Sequence, residues 1–218
     1  MRAPAYKPPR TIAVLAQAAF ALFASAAPAT GEPLLFEAAD ANDLVSVVSL
    51  LVNGTDPNSR GIDRSTALHW AARAQALAVL DALIEAGADV HAQDRYGVTP
   101  AYLAAESGNE AVIARLLSAG ADANSIAPNG ESLLMTTTRT GNQSAMGLLI
   151  EHGALVDAAE PSYEQTPLMI AVREDHAGAA ALLIARGANV DARTRAGSAP
   201  RFVLPCKGTG CGSEGVGI

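Results

Sequence analysis

The sequence predicts an all-α fold, a solenoid of helix-turn-helix repeats with projecting hairpin-like loops, and three observations carry that reading. The first is a period. Thr66-Ala-Leu-His-Trp-Ala-Ala, Thr99-Pro-Ala-Tyr-Leu-Ala-Ala, Ser132-Leu-Leu-Met-Thr-Thr-Thr and Thr166-Pro-Leu-Met-Ile-Ala-Val open successive copies. Gly54, Gly87, Gly120, Gly153 and Gly187 close them at spacings of 33, 33, 33 and 34, the mark of stacked supersecondary units. The second is an apolar stripe at i, i+3 and i+4, one face of a helix. It runs as Val47, Leu50, Leu51; Leu80, Leu83, Ile84; Ile113, Leu116, Leu117; Met146, Leu149, Ile150; and Ala180, Leu183, Ile184. The third is composition: half of the 218 residues are apolar but only 4% are aromatic. Such a core suits close-packed helices better than strands, which favour β-branched and aromatic residues.

Residues 1–29 read as a secretory signal peptide. Arg2, Lys7 and Arg10 precede an apolar run from Thr11 to about Ala24, no acid occurs before Glu32, and small residues place the cleavage near 26–29. The run is shorter than the ~20 residues a membrane-spanning helix needs, and no span is expected in the mature chain. Removing the leader takes three of the 15 cations and none of the 22 acids, so the charge falls from −7 to about −10. With no run of Lys or Arg to neutralise phosphates, nucleic acid is excluded as a partner.

The repeat region runs over 34–200. Residues 34–58 form an N-terminal cap that lacks a Thr-Pro opening and carries Glu37, Asp40 and Asp43 on the expected outer face. Repeats follow at about 61–93, 94–126, 127–160 and 161–193, and a fifth starts at 194 without completing. In the second repeat Thr99-Pro100 opens a helix, because Thr caps free amides and Pro at the first position lacks a donor that would go unused. That helix spans Pro100 to Ser107, turns at Gly108-Asn109, and is followed by a second over Glu110 to Ala119. The polar stretch from Asp122 to Glu131, with Asn129-Gly130 inside it, reads as a projecting loop. The extra residue of the 34-residue interval falls between Gly153 and Thr166. Three buried aliphatics per unit cannot offset the ordering of ~33 residues, so neighbouring units must share faces.

These Thr-Pro-Leu openings, Gly-Asn turns, Leu-Leu-x-x-Gly-Ala-Asp closes and the 33-residue period resemble the ankyrin repeat family over Leu34 to Pro200. The wording of Thr66-Ala-Leu-His-Trp-Ala and Tyr96-Gly-Val-Thr-Pro further resembles secreted or periplasmic bacterial ankyrin repeat domain-containing proteins. Two departures stand out. Arg64 and Glu164 take the place of the loop glycines Gly97, Gly130 and Gly197, which puts the tight turn there in doubt. The third repeat has Thr136, Thr137 and Thr138 where alanines are usual.

The resemblance gives His69 a structural role, its ring bonded to the Thr66 opening and the neighbouring loop. His91, His152 and His176 lie at loops and helix ends, and no two histidines are three or four apart, so the usual helical zinc site is lacking. Asn53 and Asn142 head glycosylation sequons but fall at helix ends. No phosphate loop and no Gly-x-Ser-x-Gly elbow occurs. The chain is therefore expected to be no enzyme and to hold no metal or cofactor. Cys206 and Cys211, separated by four residues in the Gly-rich tail 201–218, fit a small disulfide in an exported chain, with free thiols or a dispensable tail as the alternatives.

The resemblance implies partner binding along a concave side. Loop tips there would present Ile62 and Asp63, Arg95 and Tyr96, Pro128 and Asn129, and Ser162 and Tyr163. The helix edge would present Arg73, Glu106, Arg139 and Arg173. Tyr96 and Tyr163 are the anchors of choice, since a ring with a hydroxyl offers area at low entropic cost. The expected function is non-catalytic protein–protein interaction in an exported protein, periplasmic or secreted, monomeric unless the C-terminal face around Leu183 and Ile184 pairs. The alternative is the non-catalytic portion of a longer exported enzyme or receptor. The tail past about Leu204 is expected to be poorly ordered.

Overall fold

The computed structural model describes residues 34–200. The leader, both cysteines and the tail expectation lie outside the described residues. Among the described residues ten helices run in five pairs: α1 (Leu35–Asp40) with α2 (Leu44–Val52), α3 (Ala67–Arg73) with α4 (Leu77–Glu85), α5 (Pro100–Ser107) with α6 (Glu110–Ser118), α7 (Leu133–Thr140) with α8 (Gln143–Glu151), and α9 (Pro167–Arg173) with α10 (Ala177–Ala185). Each first helix packs on the first helices of its neighbours and each second helix on the second, giving two parallel layers. Helices this short are marginal alone, and the shared core between layers holds them.

The start signals in the sequence become real caps. Thr99, Ser132 and Thr166 accept the backbone N–H of Tyr102, Met135 and Met169 at 3.2, 3.2 and 3.4 Å. Asn109 and Asn142 do the same for Val112 and Ala145 at 3.2 and 3.0 Å. Gly108 stops α5 in the left-handed region at φ +71°. The equivalent turns use Asn42, Gln75 and Asp175 at φ +54°, +56° and +59°, so this turn tolerates an L side chain. The strain costs roughly 1–2 kcal/mol per residue.

The apolar stripe is the core between layers. Leu80, Leu83, Leu116, Met146, Leu149 and Leu183 are fully buried, and alanines such as Ala71, Ala72, Ala104, Ala105 and Ala171 let the first helices approach closely. Ile184, on α10, stays 42% exposed. The three threonines of α7 are buried with their hydroxyls turned on their own helix. Thr136 donates to the Ser132 carbonyl, Thr137 to those of Leu133 and Leu134, and Thr138 to that of Leu134, which satisfies each hydroxyl locally.

One expectation needs correction. The turns at Arg64 and Glu164 are kept. Arg64 sits at φ +66° and Glu164 at φ +58°, held there because the hydrogen bonds of the surrounding loop outweigh the backbone strain. The acids of the N-terminal cap are exposed or half-buried and also bond their surroundings. Glu37 accepts the Leu34 N–H at 3.2 Å and Asp43 caps α2 through the Ser46 amide and hydroxyl at 3.1 and 2.6 Å. Asp40 reaches Arg73 of the next repeat at 3.3 Å.

Candidate protein-binding surface

Among the described residues the chain projects five fingers, four between helix pairs and one after α10, and in each a backbone N–H at the start of the turn donates to the carbonyl at its end. Gly61 donates to Ser65 at 2.8 Å, Asp94 to Val98 at 3.0 Å, Ala127 to Glu131 at 2.8 Å, Glu160 to Gln165 at 3.0 Å and Thr194 to Ser198 at 2.9 Å. The fourth spans one residue more than the others, which places the 34th residue in the finger itself. Glu160 fills the enlarged turn: its carboxylate accepts the amides of Ser162, Tyr163 and Gln165 at 2.7, 2.7 and 3.1 Å. Burial works against this charge, but the amides of Gln165, Ser162 and Tyr163 hold the carboxyl below its ordinary value.

The tip residues divide into two kinds. Asp63 is a turn builder, accepting the Ser65 amide and hydroxyl at 3.0 and 2.6 Å, and the Ser65 hydroxyl keeps its carboxyl ionised to lower pH than usual. Asn129 likewise accepts the Glu131 amide at 3.1 Å. Ile62, Tyr96 and Tyr163, by contrast, are 102%, 60% and 67% exposed. The Arg95 guanidinium lies 4.7 Å over the Tyr96 ring, a contact that also fixes the ring's direction. Pro128 and Ser162 are exposed at the equivalent places on fingers three and four.

The helix edge carries charges that already have partners. Arg73 stacks 4.2 Å over Trp70 and pairs with Asp40. Arg139 pairs with Glu131, whose second oxygen Oε2 is buried without a hydrogen bond. Arg173 binds the Gln165 side chain at 2.7 Å and Glu174 at 3.0 Å, and Glu106 is exposed. The Arg73–Asp40 and Arg173–Glu174 pairs are exposed and worth little to stability, so a partner's charge exchanges for them cheaply.

His69 is buried and does what its position implies. Nδ1 accepts the Thr66 amide at 3.1 Å, the Thr66 hydroxyl lies 2.9 Å away, and Nε2 donates to the Val98 carbonyl in the next finger at 3.0 Å. Burial lowers its pKa, and the neutral ring with one acceptor and one donor is the form that these partners require. His152 bonds the Leu148 carbonyl at the end of α8, and His176 the Arg139 carbonyl across the repeat junction.

This repeating geometry of finger, helix, tight turn and helix agrees with the comparison to known families: a family model described as Ankyrin repeats (3 copies) matches residues 35–127 and 112–194. The chain belongs to the ankyrin repeat family. No curated protein matches it. Within this ankyrin stack Arg139 and Arg173 of the first helices reach Glu131 and Gln165 of the fingers before them, and families of this kind generally serve as protein-interaction modules and are typically non-catalytic. Among the described residues no group of three or more His, Cys, Asp or Glu is placed to hold a metal, and no helix is long and apolar enough to cross a membrane.

The sequence missed Trp70. Its indole N–H donates to Ser65 at 2.9 Å and its face carries Arg73, so it joins finger one to the helix edge. The signal was available, since Trp70 is the one Trp in the chain and takes the place that Leu103, Thr136 and Ile170 hold in other repeats. It also missed Arg195, whose backbone N–H donates to the Tyr163 carbonyl at 3.0 Å and whose guanidinium reaches the Pro161 carbonyl at 3.2 Å, extending the row to a fifth finger.

Proposed function

We propose that this ankyrin stack is a non-catalytic protein-binding module of an exported protein, and that its partner lies across the finger tips and the first-helix edge. The observation that carries the reading is the row Ile62, Tyr96 and Tyr163, three large apolar side chains more than half exposed on equivalent fingers. None of them packs on the core, and folding alone gives no reason for them. Aromatic and arginine side chains are the usual hot spots of interfaces, and Trp70 with Arg73 and Tyr96 with Arg95 supply two such pairs at the N-terminal end. Export rests on the leader-like layout of residues 1–29: three cations, an apolar run and a small-residue cleavage site.

The test is affinity capture from envelope extract of the source cell with the intact chain and with Tyr96→Ala, Tyr163→Ala. Partner recovery is expected to fall at least ~10-fold, the effect of losing one hot spot or more. Unchanged recovery removes the two tyrosines from the interface. Intact mass of the purified chain tests export: a mature start between 27 and 30 is expected, and a retained Met1 in the exported fraction argues against it.

A further inference from the structure

Fingers one and two carry guanidinium groups that the fold does not use. Ten arginines and no lysine lie between residues 34 and 200, and eight of the ten stand in or beside a finger or on a first helix. Arg73, Arg139, Arg173 and Arg195 each pair with an acid. Among the described residues Arg60, Arg64 and Arg95 form no ion pair, and all three are exposed. The Arg95 amide donates to the Asp63 carbonyl at 2.8 Å and the Arg60 guanidinium to the Gln93 carbonyl at 3.1 Å, which sets the two fingers edge to edge. The acids of these fingers are half-buried and serve the turns, Asp63 on the Ser65 amide and hydroxyl and Asp94 on the amides of Tyr96 and Val98 at 2.7 and 2.9 Å. The guanidiniums are left to solvent.

We propose that this patch docks an acidic segment of the protein partner, with carboxylates on Arg64 and Arg95 and an apolar side chain against Ile62 and Tyr96. The inference rests on the protein-binding reading above and names the chemistry of the partner. Arg64 is the decisive member. It holds a left-handed place, φ +66°, where fingers two, three and five have Gly97, Gly130 and Gly197. An L side chain is strained there, and among the described residues the Arg64 side chain makes no hydrogen bond or ion pair that offsets the strain. Glu164, the same departure in finger four, pairs with Arg195 at 3.4 Å. A strained residue that serves no contact of the fold points to a role outside it. The chemistry follows from charge: a guanidinium takes a carboxylate bidentately, and Ile62 and Tyr96 supply the apolar area beside it. Residues 34–200 carry twenty acids against these ten cations, so an acidic segment is repelled elsewhere and steered to this end of the row.

Binding of a fluorescent random copolymer of glutamate and tyrosine to the full chain tests the proposal, with a lysine–tyrosine copolymer and single-stranded DNA as competing ligands. The glutamate copolymer is expected to bind, and to bind more weakly as salt is added. Arg64→Gly is expected to weaken it about tenfold and to unfold at about the same urea concentration as the intact chain, because relief of strain offsets the freer unfolded chain. Arg64→Glu, which keeps an L side chain at that place, abolishes binding, and Arg186→Gln on α10 leaves it unchanged. Unchanged binding in Arg64→Gly, no binding of the glutamate copolymer, or tighter binding of either competing ligand overturns the proposal. Capture from envelope extract separates this failure from that of the broader reading. A partner lost on Tyr96→Ala, Tyr163→Ala but kept on Arg64→Gly leaves the protein-binding module standing and removes the acidic segment from it.

Discussion

The first and third repeats solve the same packing problem with opposite uses of their polar groups. In the first, polar groups cross the junction: His69 ties Thr66 to the Val98 carbonyl of the next repeat, and the Arg95 amide donates to the Asp63 carbonyl at 2.8 Å, lacing finger two to finger one. In the third they turn inward. Thr136, Thr137 and Thr138 bond carbonyls of α7 itself, Met135 holds the slot of His69, and Glu131 keeps one carboxylate oxygen unpaired. At the position of Arg95 the third finger has Pro128, which has no donor, and among the described residues no backbone hydrogen bond joins finger three to either neighbour. The third repeat keeps other stitches: Asn142 donates to the Gly108 carbonyl at 2.7 Å, and Asn124 clamps the Gly153 carbonyl and Leu155 amide at 3.0 and 2.9 Å, as Asn58 clamps the Gly87 carbonyl and Asp89 amide of the first repeat at 3.1 and 2.7 Å. The asparagine clamp is thus common to both repeats, and the finger ladder and the histidine stitch are what the third repeat lacks.

The contrast is sharpest at a pair of glycines one period apart. Gly97 and Gly130 both sit in the left-handed region, at φ +81° and +83°. A Cβ on Gly97 meets nothing within 4 Å, whereas one on Gly130 falls 2.5 and 2.8 Å from Cδ and Cγ of Pro161. Gly97→Ala is expected to cost about 1 kcal/mol, the strain alone. Gly130→Ala adds overpacking against a rigid ring and is expected to cost roughly 3 kcal/mol. Urea unfolding of the two variants measures the difference, and equal losses would show that finger three yields to Pro161 and is not wedged by it.

The helices, the turns and the core stripe were legible in the sequence because each repeats with its own chemistry. Thr-Pro at a helix start and Gly-Asn at a turn report a backbone need that a single residue type meets. The finger turns at Arg64 and Glu164 were not, since the signal there is a missing glycine, and what keeps the turn is spread over bonds from Gly61, Ser65 and Glu160. The site was half legible. Ile62, Tyr96 and Tyr163 could be placed at tips by register, but that Asp63 and Asn129 serve their own turns, or that Arg139 is taken by Glu131, depends on side-chain geometry that no spacing reveals.

The next effect in size concerns the stitch in the first repeat. His69→Ala leaves the Thr66 amide and the Val98 carbonyl without their partner in a buried place, and is expected to cost about 2–3 kcal/mol. The same stitch predicts acid sensitivity. Burial lowers the pKa of folded His69, so the unfolded chain binds the proton more readily; the stabilisation is present above the unfolded pKa of ~6.5 and is lost as pH falls from there through the folded value. Glu160 adds to this further down, because its depressed carboxyl protonates more readily when unfolded, with loss setting in below its ordinary value of 4.5. Protection of the α3 amides, relative to their intrinsic exchange rate, should therefore fall as pH drops below ~6.5 before that of the α7 amides does. Simultaneous opening of both would mean that the whole stack unfolds as one unit and that His69 is no local weak point.

The smallest effect bears on the third finger most directly. Pro128→Ala restores the donor that Arg95 and Arg195 use in their own fingers, aimed by register at the Tyr96 carbonyl. The new bond is worth about 0.5–1.5 kcal/mol, while the freed unfolded chain takes back about 0.4–1 kcal/mol, so overall stability should hardly move. The local readout is what decides. The amide at 128 is expected to exchange as slowly as that of Arg95, because it would then sit in the same ladder. If it exchanges at the free rate, finger three is set apart by its own geometry, with Gly130 against Pro161, and the proline follows from that separation and does not cause it.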